Sequence, residues 1–506
     1  MRKIFKNLLP ILLILVCLWS LAACGDTPEN VDPSNAPEVT KEGDTAAKPS
    51  NAPVLLPYSS GDSLHPFTAK LAINRQLATL IYDSLYRVDA RYEASGSLAK
   101  ADELDGKTLT VTVRTALFSD GKAITPGDVV ASFAQAKKSG AYQERLRNVL
   151  SAEAQGKDSV VFTLEQPDPF VRSCLDFPVL PKENKSTGSV PPLGSGKYVI
   201  KAEKGSYTLT PNPRYREKID YGAARIELVN ITNPQTLAQG VGIGTISFAT
   251  ADLAGGVSES TGARQTQLPL NNLVYLALNN ARRVWADAKL RQAVSLLLNR
   301  EDLALGAFAG NARPADTPFN PAWFALEERT PAVQNRAAAT KLIDETGQAG
   351  KTLKATQLKL LVNQDNPQKV ECARRIMNAL SVGGLRVTLQ SLPLKDYQAA
   401  AKSGKFDLLV GECKLTANMD LSALFTAEGG AHHGIDSAAR AAQSYGEFRR
   451  GAVKLEDFLS VFASDMPFVP LLYRSGHAYY DRALRADVPA AYAADVYAFV
   501  SDFRVY

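Results

Sequence analysis

The chain has 506 residues, 45% of them hydrophobic and 22% charged, with a net charge of +5. That length exceeds what one compact core accommodates, so two to four subdomains of roughly 100–200 residues each are expected, and the composition has no collagen-like, coiled-coil or disordered bias. Arg2, Lys3 and Lys6 fall in a segment expected to be removed; without these three charges the net becomes +2, which excludes the dense basic surface of a dedicated nucleic-acid binder.

Those three cations precede an apolar run over residues 8–19 and then Leu21-Ala22-Ala23-Cys24-Gly25. Basic residues, a short apolar stretch and small residues before a cleavage point are the layout of an export signal, here 1–23. The run is shorter than the ~20 apolar residues a membrane-spanning helix needs. Leu-Ala-Ala-Cys resembles the lipobox of bacterial lipoproteins, which implies lipidation at Cys24 and a body tethered on the extracytoplasmic face of the membrane. Residues 24–53 are rich in Thr, Pro, Glu, Asp, Asn and Ser and read as a flexible tether. Three cysteines remain, Cys174, Cys372 and Cys413. With no C-x-x-C, neither zinc nor a redox motif is indicated. A Cys372–Cys413 disulfide stays open, and the odd count favours free buried thiols.

A strand at Val54-Leu55-Leu56 runs into "SSGDSLHPF". Gly61-Asp62-Ser63-Leu64 matches the nucleophile block of a family of serine hydrolases, so a secreted esterase is one alternative. Such an enzyme needs a histidine base and an orienting carboxylate. The only Asp-x-x-His is Asp62 to His65, overlapping Ser63 itself, so no enzyme activity is expected. Residues 71–86 carry apolar positions at helical spacing. Residues 108–114 alternate as a half-buried strand, and Thr125-Pro126-Gly127-Asp128 caps a helix ended by Gly140. Strands follow at 160–164, 198–200, 225–231 and 273–278, then a helix over 287–303. Helices at 337–345 and 369–380 alternate with strands at 358–362, 387–389 and 406–410. This is α/β grammar. No Walker sequence, solenoid repeat or second membrane-length apolar stretch occurs.

The segment "LTVTVRTALFSDGKAITPGDVVASFAQA" closely resembles a signature of the family 5 extracellular solute-binding proteins, the dipeptide-, oligopeptide- and nickel-binding components of bacterial ATP-driven importers. "SLHPFTAKLAINRQLATLIYDSLYRVD", "PPLGSGKYVIKAEKGSYTLTPNPRYRE" and "LVYLALNNARRVWADAKLRQAVSLLLNRED" are similar to further stretches of that family, though Ser195 and Lys197 replace the usual threonine and proline. The resemblance implies a type 2 periplasmic-binding fold: two lobes, a hinge and an extra subdomain inserted in the first lobe. Lobe I would use 54–84, 186–267 and 475–506, the insert 85–185, and lobe II 268–474.

The same resemblance implies a monomeric receptor that captures a peptide or similar small solute between the lobes and delivers it to a permease and its ATPase, without a cofactor, resident metal or nucleic-acid partner. A nickel-chelate or haem receptor is the alternative within the family; His432-His433 invites it, but lacks ligand spacing with other donors. Candidate ligand contacts are Ser59, Ser60 and Gly61 on the opening loop and the aromatics Tyr275 and Tyr473. In "FDLLVGECKLTANMDLSALF" the family carries Gly-Trp and an aspartate for the peptide amine. Here Glu412 follows Gly411, so Glu412 or Asp420 is expected to replace that carboxylate, with Asn418 nearby and Lys414 either facing an anionic group or pairing with that carboxylate.

Overall fold

The apolar run after residue 53 becomes β1 (Val54–Tyr58) in the computed structural model, which describes residues 50–184, 191–203, 205–254, 261–484 and 489–506. The expected signal, Cys24 and most of the tether lie outside the described residues. From β1 the chain leaves to make a hairpin of β2 (Tyr86–Val88) and β3 (Ala94–Gly96), then a four-stranded antiparallel sheet. That sheet contains β4 (Ala99–Asp105), β5 (Thr108–Val113), β6 (Val149–Gln155) and β7 (Ser159–Leu164) in the order β4-β5-β7-β6. The chain returns as β8 (Tyr198–Glu203), β9 (Ser206–Pro211) and β10 (Ile226–Asn230), closing a sheet of order β1-β10-β9-β8. β1 and β10 run parallel and end side by side at Tyr58 and Asn230.

The remaining strands are β11 (Phe248–Ala251), β12 (Arg264–Leu278), β13 (Ala312–Pro314), β14 (Gln357–Asn363), β15 (Arg386–Leu392), β16 (Leu408–Lys414) and β17 (Phe468–Tyr480). They form a mixed sheet ordered β11-β17-β12-β16-β14-β15, with β13 on β17. Buried side chains divide into two large apolar cores. One holds Val54 to Leu270 segments together with Ala478 to Phe503; the other starts at Leu273 and ends at Tyr473, joined by Val88 and Tyr92. β12 and β17 pass from one core to the other as an antiparallel pair. Between Pro269 and Leu273 their register slips, so β12 bulges where it changes core, a device that bends a strand and increases its local twist.

Local chemistry explains most elements. The helix Pro126–Ala136 starts at a capping box, with Asp128 accepting from the Thr125 N–H at 2.8 Å. Two expectations need correction. Residues 71–86 form only the short helices Ala72–Gln76 and Ala78–Ile81 before β2 begins. The helix expected over 287–303 is two helices, Ala288–Leu297 and Arg300–Phe308, because Asn299 caps the second by accepting from the Asp302 N–H at 3.1 Å. All three described cysteines are free and buried.

Candidate functional site

The carboxyl ends of β1, β10 and β11 converge on the loop that opens "SSGDSLHPF". Asn74, 2% exposed, organises it: Oδ1 accepts from the Ser59 N–H at 2.8 Å, and Nδ2 donates to the carbonyls of Ser59, Asp62 and Ser63. Asp62 holds the start of the next helix by accepting from the Lys70 and Leu71 N–H groups. The Ser60 N–H donates to Asn230 Oδ1 at 2.8 Å, and Gly61 is exposed beside it. Ser63 Oγ accepts from the His65 N–H and the Thr68 hydroxyl, while His65 Nδ1 accepts from the Phe67 N–H. Both side chains are thus engaged in building the turn.

Across from this loop, strand parity sorts the second core's residues into two faces. Glu412 and Lys414 share one face of β16, opposite Val274 and Asn272 of β12; Gly411 and Cys413 share the other, opposite Tyr275 and Leu273. Glu412 is the centre of a network. It accepts from Arg474 Nε at 2.9 Å and Nη2 at 2.8 Å, from Asn272 Nδ2 at 2.6 Å, and pairs with Lys369 Nζ at 2.7 Å. Burial pushes its carboxyl up, but the Lys369 and Arg474 cations and the bonds they donate outweigh burial and hold it down at about 2. Arg474, 2% exposed, also donates to the Asp252 carbonyl at 2.8 Å, tying β17 to the end of β11.

The structure places Tyr275 and Tyr473 in the core rather than at this face. Tyr275 is fully buried, its hydroxyl donates to the Ala431 carbonyl at 2.8 Å, and a Cβ added at Gly411 would lie 2.5 Å from its ring. Tyr473, 2% exposed, donates to the Pro318 carbonyl at 2.8 Å. Each sits one residue out of phase with the charged face. Tyr275→Phe is therefore expected to cost about 1–3 kcal/mol by stranding a buried carbonyl, read by urea unfolding, and to leave solute affinity unchanged by calorimetry.

Asn418 and Asp420 also lie apart from the Glu412 network. Asn418, 4% exposed, donates to Asp168 Oδ2 at 2.8 Å; Arg449 pairs with that carboxylate at 2.5 Å and donates to the Asn418 carbonyl at 2.6 Å. Asp420 Oδ1 accepts from the Ser422 N–H and hydroxyl and from the Tyr445 hydroxyl. Asn418 thus helps fasten the segment around Asp168 and Phe170 to the second core, where Phe170 meets Trp323 at 4.9 Å and Arg449 stacks over the Phe170 ring at 5.7 Å; Asp420 is engaged within the second core.

Lys414 is exposed, at the end of β16. Its pKa is lowered, first by desolvation and then by Arg145, Arg75 and Arg474, with Asp252 acting against them. Arg75 lies on the helix Ala72–Gln76 that follows the opening loop, and Arg145 precedes β6. Arg145 pairs with Asp176 at 2.5 Å and stacks over Tyr142 at 5.1 Å. The helix Pro367–Val382 presents its N-cap Asn366, whose Nδ2 donates at 2.7 Å to the carbonyl of Ala254, just past β11.

Of the expected residues, Ser59, Ser60 and Gly61 share the opening loop and Glu412 and Lys414 share one strand face. Sequence reasoning missed Arg474 and Lys369. Arg474 had a readable signal: a cation inside the otherwise uncharged "FVPLLYRSGHAYY", where burial demands a partner. His432 Nδ1 lies 2.9 Å from the Leu424 carbonyl, and among the described residues no cluster of three or more His, Cys, Asp or Glu is arranged to hold a metal. A cavity of about 630 Å³ lies elsewhere, within the second body, lined by Leu296, Leu326, Leu455, Leu459 and Phe462. It is largely apolar, and none of the charged network residues lines it. No described helix is long and apolar enough to cross a membrane.

The family model described as bacterial extracellular solute-binding proteins, family 5 Middle matches residues 93–426. The Escherichia coli protein named "Probable D,D-dipeptide-binding periplasmic protein DdpA" is 25% identical over 342 residues, covering 63% of this chain and 65% of that protein, just under two thirds of its length. The substrate-binding protein CtaP of a Listeria monocytogenes ABC transporter has the same fold, with a TM-score of 0.70 at 17% identity, covering 90% of this chain and 100% of CtaP. NikA from Brucella suis in complex with Fe(III)-EDTA superposes with a TM-score of 0.68 at 17% identity and the same coverage.

Proposed function

Since the chain belongs to family 5 of the bacterial extracellular solute-binding proteins, we propose that it captures a di- or oligopeptide between its two bodies and delivers it to an ABC permease, held outside the cell membrane by lipid on Cys24. The observation that carries this reading is the partition of the core into two bodies joined by the paired strands β12 and β17, with a polar network buried where they cross. Two bodies on a narrow connection close around a solute as hinged units. The exposed Ser60 and Gly61 of the opening loop supply hydrogen-bonding groups from one side, and the exposed Lys414 supplies charge from the other, on a strand face that Glu412 fixes by holding Arg474 and Lys369. No covalent chemistry is required of either.

Solute released from the purified mature chain and identified by mass spectrometry tests the reading directly. A bound peptide at a hundred times its dissociation constant is expected to raise folding stability by about 2.7 kcal/mol through mass action, visible as a shift in thermal melting. A chain that carries no solute and whose melting no peptide moves is not a peptide receptor.

A further inference from the structure

We infer that the cavity of about 630 Å³ in the second body is a binding site for an apolar solute ending in an uncharged oxygen acceptor, an alcohol, ketone or ester. None of the Glu412 network lines it, so the inference stands independently of solute capture between the bodies. Three helices, Ala288–Leu297, Arg336–Glu345 and Leu455–Asp465, wall the hollow, and the segment 325–332 crosses it. On the last helix two apolar rows run side by side, each at a spacing of four residues. Phe458 and Phe462 enter the core, whereas Leu455, Leu459 and Ala463 form the next row and line the cavity. Leu296 and Leu342 join that row from the other helices, and all four leucines are only half buried. So much leucine turned towards one hollow exceeds what the core takes up, and the volume lies within the roughly 300–1,000 Å³ of small-molecule pockets. The crossing segment is fastened on both sides: the Leu326 N–H donates to the Trp323 carbonyl at 2.9 Å, the Ala332 N–H to Asp316 Oδ2 at 2.8 Å and the Asn335 N–H to the Leu296 carbonyl at 2.9 Å. It spans the hollow instead of filling it.

One wall is polar. Buried Ser295 lines the cavity, and its Oγ accepts from Arg300 Nη2 at 2.8 Å. Arg300, buried too, is fixed by donating from Nε to the Ala315 and Pro470 carbonyls at 2.9 and 3.0 Å, and makes no ion pair among the described residues. The Ser295 oxygen is thus engaged by a cation while its hydroxyl proton donates to nothing among the described residues. A buried donor in that state costs free energy until an acceptor reaches it, and a solute oxygen in the hollow is such an acceptor. Charge then selects the head group. Glu327, Glu328 and Glu456 stand exposed at the mouth with Asp316, against Arg329 as the one cation among the lining residues. That rim repels an anionic head, and the Arg300 charge behind Ser295 repels a cationic one. An uncharged acceptor meets neither penalty.

Decanol, decanoate and decylammonium share one chain and differ in head charge, and calorimetry of each with the full mature chain tests this, with phenylnaphthylamine, an apolar fluorophore without oxygen, as competitor. Decanol is expected to bind at least tenfold more tightly than either ion and to displace the fluorophore. Ala463→Phe puts a ring into the hollow from an exposed helix position. It is expected to lose at least tenfold for decanol and for the fluorophore while melting no lower than the parent without solute, which separates lost binding from lost folding. Ser295→Ala is expected to weaken decanol at least threefold and to leave the fluorophore unchanged, a split that general loosening of the fold would not produce. If decanol does not bind, or binds Ala463→Phe as well as the parent, the site is overturned. If decanoate or decylammonium binds as tightly as decanol, the uncharged class is overturned. If the parent sediments as a dimer that Ala463→Phe dissociates, a second copy covers the hollow and the solute site falls. Peptide affinity is expected to be the same in Ala463→Phe and the parent, so loss of the cavity site and loss of the peptide reading are told apart.

Discussion

Glu412→Gln is expected to cost about 3–5 kcal/mol of folding stability, the range found when one member of a buried ion pair is removed. The substitution keeps the side chain's size and one carbonyl acceptor, but leaves Arg474, 2% exposed, and Lys369 without their shared carboxylate. Asp252, at 3.6 Å from Arg474 and largely exposed, is too solvated to replace it. Acid has the same effect as the mutation. Because the folded-state pKa of Glu412 is depressed to about 2, its contribution is present above the ordinary carboxylate range and is lost as pH falls from about 4.5 towards 2. A depression of that size corresponds to about 3 kcal/mol. Denaturant unfolding at pH 7 and at pH 3 is the measurement: the parent should weaken between them, and Glu412→Gln should weaken less, having already lost the group that titrates.

Asp168→Asn is expected to cost on the order of 3 kcal/mol, for the same physical reason at a different place. Asp168 is 2% exposed and holds both Arg449 and the Asn418 amide. Asparagine still bonds Asn418 but leaves the Arg449 guanidinium buried against Phe170 with its charge less compensated. The change should also loosen the segment around Phe170 from its seat on Trp323 and Phe448. Hydrogen exchange across residues 168–174 and 445–449 should quicken together. Unchanged exchange at one side would show that this contact does not couple the two segments.

Much of the fold was legible because its strands obey simple alternation. Residues 108–114 and 160–164 were readable from period-two alternation, and the start of the helix at Pro126 from its Thr-Pro-x-Asp cap. Among the strands that escaped notice, β4, β6 and β11 have mixed or polar patterns that only their neighbours explain. The break at Asn299 was present as Asn-x-x-Asp, but the apolar period runs straight through it and hides it. Site residues followed the same division. Glu412 and Lys414 stood out as departures within a recognised segment. Tyr275 and Tyr473 were expected at the cleft from the resemblance, without regard to parity, and a single-residue phase difference is all that separates the core face from the charged face. Lys369 reaches Glu412 through tertiary packing alone, which no local pattern encodes.

The two cores differ in how much chain each needs. The second draws on residues 273–473 with Val88 and Tyr92, so one continuous stretch nearly completes it. The first cannot be finished that way: Phe248 packs against Tyr480, Tyr497 and Phe503, and the Ser50 N–H donates to the Val505 carbonyl at 2.7 Å. Contacts spanning almost the whole length form late, because the loop they close must be collected first. During synthesis the amino-terminal half therefore waits for the final thirty or so residues, exposing Val54, Leu56 and Phe248 in the meantime. The first core therefore stays open until residues 478–503 join it, whereas the second can close before they arrive.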